Sequence, residues 1–293
     1  MARDETPFRR TRAAFFGGPS AVFGVVLLAM ILVCALAVPL VSPQNPFTQP
    51  QPEVLEARLP PASPANGGGT FWLGTDDQGR DLVWAIAYAL RTSLEVGVSS
   101  TLIALAIGLA LGIGAAYLGG RSERVLMGIA GLQLSFPAFL IALSLLALLG
   151  RGLGSVIAAL VVAQWAGYAH AARDMARTEL GKEYIEAARC LALSPARLWW
   201  GHLVPNCLPA LGVAAVIQVA VAIALEATLS FLGLGVSTGE PSLGVLIAGG
   251  YHDLPSGAYW VSFFPGVALV LTIVSINLVA NRLRIVLAPR LQR

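Results

Sequence analysis

Charged residues are scarce in this 293-residue sequence, and lysine is nearly missing. Only 12% of the residues are Asp, Glu, Lys or Arg, whereas soluble domains carry about 25%. With 56% hydrophobic residues and a mean hydropathy of +0.74, the chain has too few polar residues to cover a water-soluble fold. The composition therefore predicts an integral membrane protein.

Motifs that would indicate nucleotide or metal chemistry are also missing from the sequence. A P-loop requires a Gly-Lys-Ser/Thr step, but Lys182 is the single lysine and is followed by Glu183. The three cysteines and three histidines lack metal-ligand spacing. We therefore predict no catalytic residue, no metal, no cofactor and no nucleic-acid partner, and we assign any ATP hydrolysis to another subunit.

Six apolar runs are long enough to cross a bilayer as helices, which takes about 20 residues each. The runs are Ala21–Val41, Leu94–Leu118, Val125–Leu149, Leu153–Ala172, Leu208–Leu229 and Trp260–Ala280. The first run is longer than the apolar region of a signal peptide, so we expect it to be retained. Gly108 and Gly112 have the spacing that lets two helices approach closely. The predicted fold class is an all-α membrane protein with six transmembrane helices.

The arginine distribution predicts the orientation in the membrane. If the N-terminus is cytoplasmic, fifteen of the nineteen basic residues lie inside, and only Arg58, Arg80, Arg91 and Arg151 lie outside. Cytoplasmic loops carry the excess of basic residues, so we expect both termini inside. The predicted parts are a cytoplasmic tail (1–20), a first span (21–41), an external linker with an amphipathic segment (42–93), a core (94–280) with an inner loop (173–206), and a cytoplasmic tail (281–293).

The inner loop has the pattern of two short helices. One is predicted over Arg177–Leu191, and a second is predicted to begin at the Ser194-Pro195 cap and to end before Pro205 and Pro209. Alanines on one face would let another surface approach closely. The pattern indicates a docking element, and the alternative is an ordinary loop packed against the membrane.

At this loop the sequence resembles a known family. Glu183-Tyr184-Ile185-Glu186-Ala187-Ala188-Arg189, followed by Pro205-Asn206, resembles the EAA loop of binding-protein-dependent ABC importer permeases. Three further segments resemble the dipeptide, oligopeptide and nickel branch of this family, namely 73–81, 226–235 and 277–290. Together these segments extend over nearly the whole chain in the order typical of the family.

The resemblance implies a type I ABC importer permease-like bundle in the bacterial cytoplasmic (inner) membrane, which translocates peptides or a related small solute. It also implies a second homologous permease subunit in a heterodimer, two cytoplasmic ATPase subunits and an extracytoplasmic solute-binding protein. In such permeases the EAA loop lies in a groove of the ATPase and transmits its closure. Carried over to this chain, the ATPase-coupling residues are Glu183, Tyr184, Glu186, Ala187, Ala188, Arg189, Ala192 and Pro205.

Two other groups of residues are candidate sites. Glu226, Ser230 and Asn277 are candidates for the translocation path or gate, because a charge in lipid is costly and is expected to face a partner or a wet cavity. The alternative is that Glu226 and Asn277 tie helices together. The external motif consists of Gly74, Thr75, Asp76, Asp77, Gly79, Arg80 and Asp81. Its alternative interpretation is a solvated turn that caps the next helix.

The sequence departs from the family pattern at a few positions. Ala192 stands where the family usually has a glycine, so the bend there either costs about 1 kcal/mol or forms differently. Ala280, Asn281 and Ala288 also depart from the usual residues.

Two other functions remain open on the residues alone. A secondary transporter driven by an ion gradient would be expected to have intramembrane charges and repeat-related broken helices. A membrane scaffold would transport nothing. An ATPase that copurifies with the chain would favour the importer over both.

Overall fold

The computed structural model describes residues 15–41, 56–65, 68–237 and 239–291. Most of the expected N-terminal tail (1–20), and residues 42–55 and 66–67 of the expected external segment (42–93), lie outside the described residues. The helices are α1 (Pro19–Val41), α2 (Leu82–Leu118), α3 (Gly120–Leu134), α4 (Ala138–Leu149), α5 (Leu153–Leu180), α6 (Glu183–Cys190), α7 (Pro195–Leu198), α8 (Val204–Phe231), α9 (Leu243–Asp253) and α10 (Trp260–Leu291). A π-helical segment, Trp199–Leu203, joins α7 to α8, and the 3-10 turn Leu254–Ser256 follows α9. Strands β1 (Ser63–Pro64) and β2 (Thr70–Phe71) form a small antiparallel pair.

Five described helical runs are long and apolar enough to cross a membrane, and α3 with α4 meets the same test only as a pair bent by 90°. The expected third span, Val125–Leu149, is therefore not one straight helix. Pro137 accounts for the break, because it has no N–H to donate and disfavours helical conformation at Phe136. With the bent pair counted as one span, the described residues contain the six predicted spans.

The second span begins twelve residues earlier than expected. Helix α2 starts at Leu82, after Asp81 caps it by accepting a hydrogen bond from the Val83 N–H at 2.8 Å. Its first turns are buried almost throughout, so this stretch is core rather than an amphipathic surface segment. Arg91, which is exposed, interrupts the apolar run and hides its start from a hydropathy average.

The inner loop differs from its prediction in two ways. The expected helix Arg177–Leu191 is divided at Gly181 and Lys182, so its first turn belongs to α5 and the rest is α6. Pro205 and Pro209 do not interrupt the second helix, because Pro205 lies in the first turn of α8, where the missing N–H is tolerated, and Pro209 lies inside the helix. Helix α10 likewise continues beyond Ala280 to Leu291, through most of the expected C-terminal tail.

Helices α2 and α5 form the most extensive helix–helix contact among the described residues. A Cβ placed on Gly108 would lie 2.4 Å from the Tyr168 Cβ, and one on Gly112 would lie 2.3 Å from the Ala169 carbonyl oxygen. Both distances are too short for any side chain. The predicted close helix contact at this glycine pair is confirmed.

Candidate functional site: the coupling segment and the outer motif

Helix α6 presents one buried face and one exposed face at the inner end of the bundle. Ile185 is fully buried and Ala188 is 6% exposed, and both pack in a cluster with Leu203 and Cys207 of the following helical run. The exposed residues of α6 include five of the predicted coupling residues. These are Glu183, Tyr184, Glu186, Ala187 and Arg189. The buried Ile185, which the motif reading did not single out, is what fixes α6 to the bundle.

Tyr184 links α6 to the helices on both sides of it. Its hydroxyl donates to Glu179 Oε2 at 2.6 Å and accepts from Asn206 Nδ2 at 3.0 Å. Glu179 Oε1 also accepts from Lys182 Nζ at 2.6 Å. Partial burial, followed by the hydrogen bond to Glu179, raises the pKa of Tyr184 to about 12. The tyrosine is therefore a neutral donor at physiological pH and ties the end of α5 to the start of α8.

The bend after α6 is formed in left-handed backbone conformation. Ala192 has φ +52°, and its N–H donates to the Arg189 carbonyl, while the Leu193 N–H donates to the Ala188 carbonyl. The turn therefore keeps the conformation that glycine adopts freely and carries the strain of a Cβ. Ser194 then caps α7 by accepting from the Arg197 N–H at 3.4 Å, as predicted.

Glu226 is fully buried where α2, α8 and α9 meet. Its Oε2 accepts from the Ser93 hydroxyl at 2.9 Å and its Oε1 accepts from the Ser230 hydroxyl at 2.7 Å. Ser242, the N-cap of α9, lies near this carboxyl. The partners all lie within the chain, which favours the interpretation of Glu226 and Ser230 as a tie between helices. Asn277 lies apart from this group, exposed on α10, and donates only to its own helix at the Ile273 carbonyl, 2.9 Å away.

The outer motif is a compact turn that packs on the starts of α2 and α10. Thr75 is fully buried; its Oγ1 accepts from the Leu59 N–H at 2.8 Å and donates to the Glu56 carbonyl at 2.5 Å. Trp260 Nε1 donates to the Thr75 carbonyl at 3.3 Å. Gly74, at φ +82°, leaves no room for a Cβ, which would lie 2.5 Å from the Leu59 carbonyl oxygen. Much of this turn is therefore buried rather than solvated.

Charged residues of the motif are paired inside the same turn. Asp76 Oδ1 accepts from the Gln78 and Arg80 N–H groups at 2.9 Å, and its Oδ2 accepts from Arg80 Nε at 2.6 Å. Gly79 provides the positive φ of +76° that the turn requires. The Asp77 side chain reaches solvent, but nearby protein atoms still exclude part of its water. This partial desolvation, together with the Asp76 charge, raises the pKa of Asp77 above the ordinary value. These contacts support a structural part for the motif, with Asp77 as its solvent-facing member.

One charged cluster at the inner end was not among the predicted site residues. Glu123 of α3 is buried and accepts from Arg173 Nε and from Arg177 Nη2 of α5, each at 2.5 Å. The spacing of the two arginines by four residues places them on one helix face. That spacing was visible in the sequence, but nothing local indicated which acidic residue would meet them.

The arrangement of the helices is also found in a solved transporter. The MetNI methionine ABC transporter, in an inward-facing conformation, matches with a TM-score of 0.56 and 22% identity over 70% of this chain and 97% of that one. The fold is that of a type I ABC importer permease.

Two family models match separate parts of the chain. The family described as "Binding-protein-dependent transport system inner membrane component" matches residues 108–293, and the "N-terminal TM domain of oligopeptide transport permease C" matches residues 6–61. The di/tripeptide transport system permease protein of Pseudomonas aeruginosa is 33% identical over 98% of this chain and 93% of its own length. The dipeptide transport system permease protein of Bacillus subtilis is 34% identical over 93% of this chain and 82% of its own length.

The chain belongs to the binding-protein-dependent transport system inner membrane components. It is thus a multi-pass permease subunit of an ABC importer in the inner membrane. Membership implies an ATPase and a solute-binding protein as partners.

Proposed function

We propose that this permease imports short peptides and that α6 is the part on which the ATPase acts. The solute class is supported by the relatives, which are named as di/tripeptide, dipeptide and oligopeptide permeases. Nickel, which the sequence resemblance left open, has no comparable support among these relatives. The working assembly is this chain, a second homologous permease subunit, two cytoplasmic ATPase subunits and an extracytoplasmic solute-binding protein.

The observation that carries the coupling role is the two-sided burial of α6. Ile185 and Ala188 anchor the helix to the bundle, while Glu183, Glu186 and Arg189 are exposed. Within the described residues, the side chains of these three form no hydrogen bond or ion pair, so they are available to a second protein. Ala187 lies among them and lets a partner surface approach closely.

Transport would then proceed by alternating access, driven by the ATPase pair on the cytoplasmic side of the membrane. Closure of the ATPase pair brings the two coupling segments of the permease pair together, and because α6 is anchored at Ile185, the bundle reorients with it. A bound solute biases this equilibrium only through its different affinity for the two states. In this arrangement both termini and α6 are cytoplasmic, while the turn around Asp76 faces outward.

Reconstitution of the complete transporter in liposomes tests this function. We expect ATP-dependent uptake of tritiated dialanine and no ATP-dependent uptake of nickel. Ala187→Trp should reduce dialanine uptake by about tenfold or more, because a bulky ring on the exposed face keeps the ATPase surface away. Ala187→Ser is the matched control and should change uptake by less than about twofold, because it adds one small atom.

Three results would contradict the proposal. Uptake driven by an ion gradient without ATP would indicate a secondary transporter. Full uptake in Ala187→Trp would mean that the exposed face of α6 does not contact the ATPase. ATP-dependent uptake of nickel in place of dialanine would reject the solute class while leaving the importer assignment intact.

A further inference from the structure

Helix α3 lies between a glycine pair at its start and the proline break at its end. At its start, Gly119 and Gly120 have φ +63° and +57°, and a Cβ on either would meet nothing within 4 Å. At its end, the chain turns by 90° into α4. The glycine pair does not by itself fix the direction of α3, so other contacts have to do so.

Burial along α3 is slight and partly polar. Of its fifteen residues, only Glu123 and Ala130 are buried. Val125, Ile129 and Leu132 are each more than half exposed. The hydrophobic contact that usually orients a helix in a bundle is therefore small here.

Polar contacts with α5 hold α3 instead. Near one end, the Glu123 carboxylate accepts from both Arg173 and Arg177. Near the other end, Gln133 Nε2 donates to the Val162 carbonyl. We call Glu123, Arg173 and Arg177 the inner clamp. It is the only charged contact between α3 and α5 among the described residues.

The inner clamp lies on the same two turns of α5 that hold the coupling helix. Arg173 and Arg177 are followed by Glu179, which binds Lys182 and the Tyr184 hydroxyl of α6, each at 2.6 Å. Polar contacts thus join α3 to the end of α5 and the end of α5 to α6, with the α5 backbone between the two sets. When α6 is displaced, α3 follows it to the extent that the inner clamp keeps α3 attached to α5.

We propose that Glu123 is a positioning residue for energy coupling, which makes α3 and the bent α3–α4 pair move with α6 as one body. This inference rests on the proposed coupling role of α6. Loss of the clamp leaves the contact between α6 and the ATPase in place, but it frees α3 to stay behind when α6 moves. ATP hydrolysis should then continue while less solute is carried per ATP.

Glu123→Gln tests the proposal in the complete transporter. The amide oxygen accepts from one arginine only, and the amide nitrogen faces the other donor, so the clamp opens. We expect the amount of tritiated dialanine transported per ATP hydrolysed to fall about fivefold while the ATPase rate changes less than about twofold. Asp174→Asn is the matched control: Asp174 also binds Arg173, at 2.6 Å, but is 66% exposed, and the ratio should stay within about twofold of wild type.

Spin-label distances give a readout that does not depend on transport. Cys190 on α6 is exposed, and Val125 on α3 is 61% exposed. Spin labels at Cys190 and at Val125→Cys therefore report the distance between the two helices. The other two cysteines, Cys34 and Cys207, are replaced by serine. With Glu123 present we expect one narrow distance distribution that ATP leaves unchanged. In Glu123→Gln the distribution should broaden and shift when ATP is added.

An unchanged distribution and an unchanged transport ratio in Glu123→Gln would overturn the proposal. If Glu123→Gln does not assemble, Glu123→Asp replaces it in the test. This variant keeps the negative charge but moves it one methylene away from the arginines, and it should lower the amount of dialanine transported per ATP by a smaller factor. If the wild-type transporter takes up no dialanine, the proposed solute fails, and the spin-label distances still decide whether Glu123 positions α3.

Discussion

The turn around Asp76 and helix α6 treat their charged residues in opposite ways. In the turn, Asp76 and Arg80 are paired with each other, and Thr75 is buried beside them. On α6, Glu186 and Arg189 extend from the surface without a partner in the described part of the chain. A charge that is satisfied internally serves the fold, whereas an unpaired exposed charge on an anchored helix is available to another protein. The comparison separates motif residues that support the fold from the residues that we propose for docking, although both belong to segments that resemble the same family.

The strongest test of this comparison is to label α6 and the turn around Asp76 from one side of the membrane at a time. Cys190 is exposed on α6, so a membrane-impermeant maleimide should react with it only when added to the cytoplasmic face. Cys190→Ser should abolish this reaction, because Cys207 is fully buried and Cys34 lies inside the apolar span α1, which an impermeant reagent does not enter. In that background, Gln78→Cys, at the exposed tip of the outer turn, should react only from the external face. Labelling of Cys190 from outside would invert the topology and reject the coupling role of α6.

Gly74→Ala should have a large effect on stability. The new Cβ would meet the Leu59 carbonyl at 2.5 Å and Trp260 at 3.0 Å, in a backbone conformation at φ +82° that favours glycine. We expect a loss of about 2–4 kcal/mol in the free energy of unfolding, measured in detergent by denaturant titration. The control is Gly128→Ala on exposed α3, where a Cβ meets nothing within 4 Å, and it should stabilise the chain by about 0.5–1 kcal/mol. Equal effects of the two substitutions would show that the outer turn is not closely packed.

Ala192→Gly should have a smaller effect of opposite sign. Glycine removes the strain of a Cβ at φ +52°, although it also increases the entropy of the unfolded chain. The net gain should be about 0.5–1 kcal/mol in the free energy of unfolding. A loss of stability would indicate that Ala192 makes a favourable contact that outweighs its backbone strain.

The sequence predicted the features that local pattern controls. Hydropathy located the spans, the Ser194-Pro195 cap placed the start of α7, and the spacing of Gly108 and Gly112 indicated a close helix contact. Each of these signals lies within a few residues of the structure it specifies. The inner loop was predicted in part: two short helices are present, but the first begins at Glu183 rather than at Arg177.

The features that were missed depend on contacts between distant parts of the chain. Averaged hydropathy treats 125–149 as one span, because it carries no information on the direction of the chain after Pro137. The pairing of Glu123 with Arg173 joins residues fifty positions apart, and no periodicity records such a pair. The start of α2 was missed for a related reason, since its first turns are buried by tertiary packing that a window interrupted by Arg91 does not detect.

The crossing of α2 and α5 limits where the bundle can deform. At Gly108 and Gly112 the two backbones touch without any intervening side chain, so that sliding one helix along the other would drive main-chain atoms into each other. We therefore expect these two helices to move as one unit. A change of conformation within the chain would then be taken up elsewhere, for example at the glycine pair before α3 or at the break before Pro137.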